Sequence, residues 1–304
     1  MTLLACNIHC NKLTMVIVEE DAALEPPIQA KRACPACCCF SYRVPTLREL
    51  YSQDKRLLRA ILLIVVLLNA PVGQYILYPF MIFSTWIHEL FHGLAAISVG
   101  GSITWLNIYP DGSGLAYTTI PAGAFQRAWV ASAGYQSTAI VGGISLMFRR
   151  TNMGARIGTC CIGVLMLFTC LLFVRNAFGL AVLVLMGLSL IVAGRYLPPF
   201  WIGELYALIA ATTCLNAITS VRVLFFVTES NIGGVTSTSD AMTMQNVTKI
   251  PYYVWSSLWM VLALWMTAMG IFINFETQQK RQSNDAVIEG LQDDRHPLTM
   301  TEMT

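Results

Sequence analysis

The chain has 304 residues, of which 56% are hydrophobic and only 12% are charged. An ordinary soluble domain carries roughly 25% charged residues, so this composition excludes a disordered chain, a nucleic-acid binder built on a basic face and most soluble enzymes. The net charge of +2 says little about partners. The placement of the charges is more informative, because only five acidic residues lie between Leu57 and Phe275. We expect function to depend on the few ionisable groups of this apolar stretch.

Residues 1–56 form a polar, cysteine-containing N-terminal segment. Its cysteines stand beside basic residues just before an apolar run, a pattern that favours S-palmitoylation at Cys37, Cys38 and Cys39. Zinc binding is an alternative, since a C-x-x-C pair can supply two ligands. The residues for such a site are Cys34, Cys37, Cys6, His9 and Cys10. Cysteines without a role are the third possibility.

Residues 57–275 are dominated by seven uncharged or weakly charged apolar runs. These are Leu57–Tyr78, Pro79–Val99, Ala128–Phe148, Ile157–Val174, Ala177–Ala193, Phe200–Val227 and Tyr252–Ile273. Most approach the roughly 20 residues that a helix needs to cross hydrocarbon. They lack a period-2 alternation, and backbone polar groups cannot stay unpaired in lipid, so helices are favoured. The only obvious break between the first two runs is Asn69–Gly73. We predict an all-α, multi-pass membrane protein, a bundle of six or seven transmembrane helices, because the first run could be short, kinked or re-entrant.

The basic residues leave the orientation in the bilayer open. Those at 31–59 precede the first run and argue for a cytosolic N-terminus. Arg149, Arg150 and Arg156 cluster between the third and fourth runs, which seven spans would place on the opposite side. The organelle cannot be read from this pattern.

The motif with the clearest chemistry is His88-Glu89-Leu90-Phe91-His92, an H-E-x-x-H sequence inside the second run. Residues four apart share one face of a helix, so both imidazoles can reach one metal ion. Zinc accepts nitrogen ligands and keeps one position open for water in catalytic sites. Glu89 adjoins the first histidine and can take a proton from that water. Three ionisable groups in one apolar helix are also costly in a bilayer unless a metal or a water-filled cavity compensates.

A zinc site of this type needs a third protein ligand, and spacing does not choose it. The acidic candidates are Asp111, Glu204 and Asp240. Asp111-Gly112 also predicts a turn between two strand-like segments, Ser102–Tyr109 and Leu115–Ile120, which would form a β-hairpin after the metal-binding helix. Asp111 is therefore expected to act mainly as a turn residue.

Several motifs in one order make the chain resemble the M50B-like peptidases, relatives of the site-2 proteases that cut peptide bonds within the membrane. The resemblance runs from about Trp86 to Trp259. Its motifs are His88–Gly93, Gly100-Gly101, Pro110–Gly114, Ala133-Gly134-Tyr135, Ser239-Asp240-Ala241, Thr248–Pro251 and Trp255.

The resemblance implies that His88 and His92 bind Zn²⁺ and that Glu89 is the catalytic base. Site-2 proteases take the third ligand from an aspartate in a later helix, within an N-P…D-G pattern. This chain lacks that pattern, since Asn216 has no nearby proline or Asp-Gly. Asp240 stands at the most similar place in the order and is the third ligand that we expect.

The activity implied by the resemblance is that of an intramembrane zinc metalloprotease acting on membrane-spanning protein substrates in the lipid bilayer. The alternative is a catalytically silent relative that binds or traffics membrane proteins. In the first case, an unwound substrate could add as a strand to the predicted hairpin. Residues 276–304 form a polar tail that we expect to be disordered.

Overall fold

The computed structural model of the protein describes residues 40–43, 54–149 and 151–277. The predicted palmitoylation sites Cys37, Cys38 and Cys39 lie outside these residues, as does nearly all of the predicted tail, 276–304. Within them, the chain forms eight helices and six short strands.

The helices are α1 (Lys55–Asn69), α2 (Gly73–Ser98), α3 (Ala124–Phe148), α4 (Asn152–Leu172), α5 (Ala177–Tyr196), α6 (Pro199–Val223), α7 (Asp240–Thr248) and α8 (Tyr252–Phe272). The strands are β1 (Phe40–Arg43), β2 (Ser102–Ile108), β3 (Gly114–Thr119), β4 (Glu229–Ile232), β5 (Val235–Thr238) and β6 (Asn274–Thr277). They pair as three antiparallel two-stranded sheets, β1–β6, β2–β3 and β4–β5.

Five of the helices are long and apolar enough to cross a membrane: α2, α4 from Gly154, α5, α6 and α8. Helix α1 has 15 residues, about 22 Å at 1.5 Å per residue, which is less than the roughly 30 Å of a hydrocarbon core. Helix α3 has 25 residues but carries Gln126, Arg127 and Gln136 and is not among the five. The predicted class, a polytopic all-α membrane protein, is confirmed, and five of the seven predicted runs supply its candidate spans.

The break expected at Asn69–Gly73 is where the first two helices separate, whereas the run boundary drawn at Tyr78 and Pro79 falls inside a helix. The chain breaks earlier, at residues 70–72, and Pro79 lies inside α2. The residue before a proline is driven out of helical backbone, and Ala70, before Pro71, has φ −93° and ψ 139°. Pro71 therefore ends α1, while the longer α2 tolerates Pro79 within it.

Helix α2 lies at the centre of the fold. It packs against α3, α6 and both strands of the β2–β3 hairpin, and the Trp86 indole donates a 2.9 Å hydrogen bond to Thr169 Oγ1 of α4. The core around it consists of Ile82, Phe83, Trp86, Ile87, Leu90, Leu106, Ile108, Met166, Cys170, Val174, Leu183 and Ile209. Because the part of α2 that bears the H-E-x-x-H motif is surrounded by these elements, the motif is held in a fixed position inside the bundle.

The predicted hairpin after α2 is present as β2 and β3. Its turn contains Gly112 at φ +85°, a left-handed conformation that glycine adopts without strain. The outer edge of β2 is occupied by the α4–α5 connection, since the Leu106 N–H donates to the Phe173 carbonyl at 2.9 Å. Strand β3 pairs with no second strand in the described part of the chain.

The β4–β5 hairpin was not predicted. Its turn is Gly233-Gly234, with φ of +58° and +83°, and a Gly-Gly pair between β-branched residues is a recognised hairpin signal. This hairpin links α6 to α7, so it determines where α7 begins.

One end of the bundle is rich in basic side chains, and we call it the basic end. Here the buried guanidinium of Arg149, after α3, pairs with Asp54, just before α1. It also donates to the carbonyls of Gly270 at 2.6 Å and Ile271 at 3.1 Å, at the end of α8. The Arg156 guanidinium of α4 donates to the Leu197 carbonyl, between α5 and α6, at 3.0 Å. The start of α1 and the connections α3–α4 and α5–α6 therefore lie at one end.

The opposite end, which we call the hairpin end, carries β2–β3, β4–β5 and α7. Of the lysine and arginine residues that the structure describes, four belong to it: Arg127, Arg175, Arg222 and Lys249. Seven described ones belong to the basic end: Arg43, Lys55, Arg56, Arg59, Arg149, Arg156 and Arg195. The described basic residues at the start of α1 and those around the α3–α4 connection, which conflict under seven spans, therefore lie at the same end of the bundle.

Replacing Arg149 with Gln should destabilise the protein strongly. The change removes the guanidinium that pairs with the carboxylate of Asp54, which is 3% exposed, and breaking a buried pair costs about 3–5 kcal/mol. Thermal unfolding in detergent measures the loss. Arg59→Gln is the matched control, because that arginine pairs with Glu204 while its side chain is 48% exposed, and surface pairs contribute little. Equal effects of the two changes would contradict the structural role of Arg149.

The charge asymmetry predicts that the basic end faces the cytosol, because cytoplasmic loops carry the excess of lysine and arginine. A glycosylation-acceptor tag inserted between Gly233 and Gly234, expressed in a eukaryotic cell, should acquire a glycan. The same tag fused after Thr304 should not, because α8 ends at the basic end. A glycan on the C-terminal tag alone would contradict this prediction and show that the basic end faces the lumen.

Candidate metal centre

The two histidines of the H-E-x-x-H motif lie one turn apart on α2, as predicted. Their Nε2 atoms are 3.0 Å apart, and their rings meet edge to face with centroids 4.6 Å apart. Nδ1 of His92 lies 2.7 Å from the Val130 carbonyl oxygen of α3, which can only accept, so Nδ1 carries the proton. When the ring is neutral, its lone pair is therefore at Nε2, the state that metal ligation requires.

Helix α7 brings Asp240 to the same point. Ser239 caps this helix, its Oγ accepting a hydrogen bond from the N–H of Met242 at 3.4 Å. The Ser239 N–H donates to the Thr228 carbonyl at 2.8 Å, which closes the β4–β5 segment at its base. Asp240 is consequently the first helical residue, and its Oδ2 lies 3.1 Å from His88 Nε2 and 3.2 Å from His92 Nε2.

The three side chains have the donor set and spacing of a metal site. One atom from each of His88, His92 and Asp240 lies within 4.8 Å of the others, and the shortest separations are 3.0, 3.1 and 3.2 Å. Bonds of about 2.0–2.1 Å to a tetrahedral zinc ion place ligand atoms roughly 3.3 Å apart. An imidazole lone pair and a carboxylate oxygen also repel each other unless a positive centre lies between them. The group could therefore hold a metal ion.

The electrostatics of Asp240 agree with this arrangement. Burial alone would raise the pKa of its carboxyl group, but in the absence of a metal ion the positive charge of protonated His92 and His88, and the N–H groups that they direct at the carboxylate, lower that pKa below its usual range. The carboxylate form, which is the form that binds a metal, is thus favoured.

The other two acidic candidates lie elsewhere. Asp111 is exposed in the β2–β3 turn, where its Oδ1 accepts hydrogen bonds from the Ser113 N–H at 2.9 Å and the Ser113 hydroxyl at 2.6 Å. These bonds lower the pKa of Asp111 and match its expected role as a turn residue. Glu204 pairs with Arg59 and lies 4.0 Å from Arg56 at the basic end. Of the three acidic candidates, only Asp240 reaches the histidines.

Glu89 is buried, with 7% of its surface exposed, and it lies against the start of β3. Its carboxylate accepts a hydrogen bond from the backbone N–H of Ala116. A Cβ on Gly114 would fall 2.7 Å from Glu89 Cγ, so glycine at this position lets the strand approach the carboxylate. Strand β3 and the H-E-x-x-H helix thus form two walls of one site.

A cavity of about 390 Å³ opens onto His88, Glu89, His92 and Asp240. Its walls come from β3, the start of α3, the end of α6, β5 and α7. Hydroxyl side chains line part of it: Thr118, Ser237, Thr238, Ser239 and Thr243. Arg127 also lines it. The site is therefore open to a ligand larger than water, and its lining mixes polar and apolar groups.

Gly134 of α3 permits the close packing of both imidazoles. A Cβ at this position would lie 2.5 Å from His88 Cε1 and 2.5 Å from His92 Nε2. Gly134, the glycine of the Ala133-Gly134-Tyr135 motif, is thus needed for α3 to pack this closely against the two histidines.

The part of the site contributed by β4–β5 was not predicted from the sequence. Two signals were present: the Gly233-Gly234 pair, which marks a hairpin, and Ser239, which is a favoured N-cap residue before Asp240. Together they would have placed Asp240 at the start of a helix directly after a turn-rich segment.

Comparison with protein-family models matches residues 57–270 to the family described as Peptidase M50B-like. The match covers well over half of the 304 residues. Comparison with curated proteins and comparison with solved structures each gave no match.

Replacing Gly134 with Ala should weaken metal binding. The added methyl group displaces both imidazoles, and disturbing groups that orient metal ligands reduces affinity by about tenfold or more. Metal content of the purified protein, measured against added chelator, checks this.

The matched control for that change is Gly163→Ala. Gly163 packs about as closely, since a Cβ there would lie 2.6 Å from the Gly187 carbonyl oxygen, but it belongs to the α4–α5 interface. It should lower stability and leave metal affinity unchanged. Equal metal loss in both variants would mean that Gly134 acts only through general packing.

Proposed function

The chain belongs to the M50B-like peptidase family, and on that premise we propose that it is an intramembrane zinc metalloprotease. Its substrates would be membrane-spanning proteins, cut at a peptide bond that reaches the cavity beside His88, Glu89 and His92. The observation that carries this function is the meeting of a His–His–Asp group with a buried glutamate in one cavity.

His88, His92 and Asp240 would hold the zinc ion. A bound zinc ion supplies Lewis acidity to the scissile carbonyl and to the attacking water. The Val130 carbonyl keeps the proton of His92 on Nδ1, so the ring enters the site with Nε2 free. The low pKa of Asp240 keeps it in the carboxylate form that a cation needs.

Glu89 would act as the general base and then as the general acid. Its carboxylate takes a proton from the attacking water and later gives that proton to the nitrogen of the leaving amine. Glu89 is therefore a carboxylate again at the end of each cycle. The Ala116 N–H holds the carboxylate in place. This intact and positioned glutamate favours a catalytic protein over a silent relative.

The substrate would enter beside β3. Leu115, Ala116 and Thr118 of this strand line the cavity, and the outer edge of β3 pairs with no other described strand. A membrane-spanning helix protects its own peptide bonds, so it must unwind before cleavage. An unwound segment could pair with this edge, and backbone hydrogen bonds would hold it next to Glu89.

Replacing Glu89 with Gln should abolish proteolysis and preserve the metal. The amide keeps the shape of the side chain but cannot take a proton, and loss of a general base lowers the rate by about 10²–10⁴-fold. Membrane proteins that accumulate uncleaved in cells with Glu89→Gln, compared with cells with the wild type, identify the substrates. Zinc content of the purified variants shows whether the site survives.

His92→Ala and Asp240→Ala should lose zinc, whereas Asp111→Ala should retain it. The last change is the matched control, because Asp111 is an acidic residue of the same domain that bonds only within its turn. Unchanged zinc in His92→Ala would overturn the site. Wild-type protein that holds zinc yet cleaves no more than Glu89→Gln would support the silent relative.

A further inference from the structure

Tyr135 of α3 lies beside the metal group in a fixed orientation. Its ring meets the His88 ring edge to face, with centroids 4.6 Å apart at 83°. Its other neighbour is Trp259 of α8, whose ring stacks on it with centroids 5.3 Å apart at 12°. Contacts on two sides hold the phenol in one rotamer next to a proposed zinc ligand.

Two cavities meet at this tyrosine. The first is the cavity of about 390 Å³ that carries the metal group. The second, of about 360 Å³, lies between α2, α3 and α6. Six residues line both: His88, Glu89, Gly114, Tyr135, Val223 and Ile232. Of these six, only His88 and Tyr135 have a side chain that can donate a hydrogen bond.

The hydroxyl of Tyr135 makes no hydrogen bond to any described residue. The side chain is half-buried and its hydroxyl oxygen is not fully buried, so a ligand in the cavities that it lines can reach it. Two other polar side chains of the second cavity are already engaged. Asn216 Nδ2 donates to the Phe80 carbonyl at 3.3 Å and to Ser84 Oγ at 3.2 Å, and Thr85 Oγ1 donates to the Gly112 carbonyl at 2.7 Å. Tyr135 therefore keeps an uncommitted donor where the two cavities join.

We propose that Tyr135 is a catalytic residue whose phenol donates a hydrogen bond to the scissile carbonyl oxygen. This inference rests on the proposed peptidase function. As water attacks and Glu89 takes its proton, the carbonyl carbon gains a bond to oxygen and the carbonyl oxygen gains negative charge. The phenol stabilises that charge and keeps its own proton throughout, so Tyr135 adds no proton transfer and no covalent bond. Donors that are preorganised at such an oxygen typically contribute about 10²–10³-fold to the rate.

The test compares Tyr135→Phe with the wild type on a fluorescently labelled membrane protein, chosen because it accumulates in Glu89→Gln cells. Phenylalanine keeps both ring contacts and removes only the hydroxyl. We expect kcat and kcat/KM to fall equally, by roughly 10²-fold, with KM and zinc content unchanged. Tyr206→Phe is the matched control, since Tyr206 is a buried tyrosine that packs with Ala155 and Ile202, and it should retain wild-type activity.

Tyr135→Leu separates the hydroxyl from the ring. If Tyr135→Phe is fully active while Tyr135→Leu loses zinc, the ring only positions His88 and our inference is overturned. A rise in KM without a fall in kcat in Tyr135→Phe would also overturn it. These results leave the peptidase function intact, whereas a wild type no more active than Glu89→Gln overturns both.

Discussion

The fold is organised around the cost of placing ionisable groups inside an apolar bundle. Glu89, His88 and His92 occupy little more than one turn of a helix that is otherwise built from hydrophobic and small residues. Such groups are expensive in hydrocarbon unless they are paired or hydrated. The protein meets this cost locally, with a backbone carbonyl for His92, a backbone N–H for Glu89, and the carboxylate of Asp240 facing both imidazoles. Each of these partners comes from a different part of the chain, so the helix that carries the motif is also the helix around which the others pack.

Small residues decide how closely those partners can approach. Glycine at 114 lets a strand lie against the glutamate, and glycine at 134 lets a helix lie against both histidines. Larger residues at these positions would push the partners away and leave the ionisable groups facing space. The two glycines thus affect the electrostatics of the site, because they set the distance between its ionisable side chains and the groups that contact them.

Much of this arrangement follows from sequence patterns, because the patterns are local. The absence of charge predicts helices in lipid, the four-residue spacing predicts that both histidines share a face, and Asp-Gly between β-branched segments predicts the first hairpin. The position of Asp240 is different in kind. It depends on how α7 packs against α3 and α8 and on the β4–β5 hairpin that precedes α7. Neither feature is marked by a periodic pattern of residues in the sequence. For that reason spacing left Asp240, Asp111 and Glu204 as alternatives, and the resemblance to a family favoured Asp240. The break after α1 could also be located from sequence, because Pro71 and Gly73 lie close together after Asn69, whereas the apolar composition on both sides of Pro79 hid the fact that α2 continues through it.

The bonds of Arg149 have a consequence for biosynthesis. The guanidinium joins the residue before α1 to the carbonyls at the end of α8, so it connects the first and the last helices of the described bundle. The carbonyls of Gly270 and Ile271 are synthesised more than a hundred residues after Arg149. Until α8 has been inserted, the arginine cannot complete this set of bonds at its buried position. A chain that stops short of α8 therefore lacks two of the acceptors that hold this guanidinium, so the basic end of the bundle is completed only after the last helix is in place.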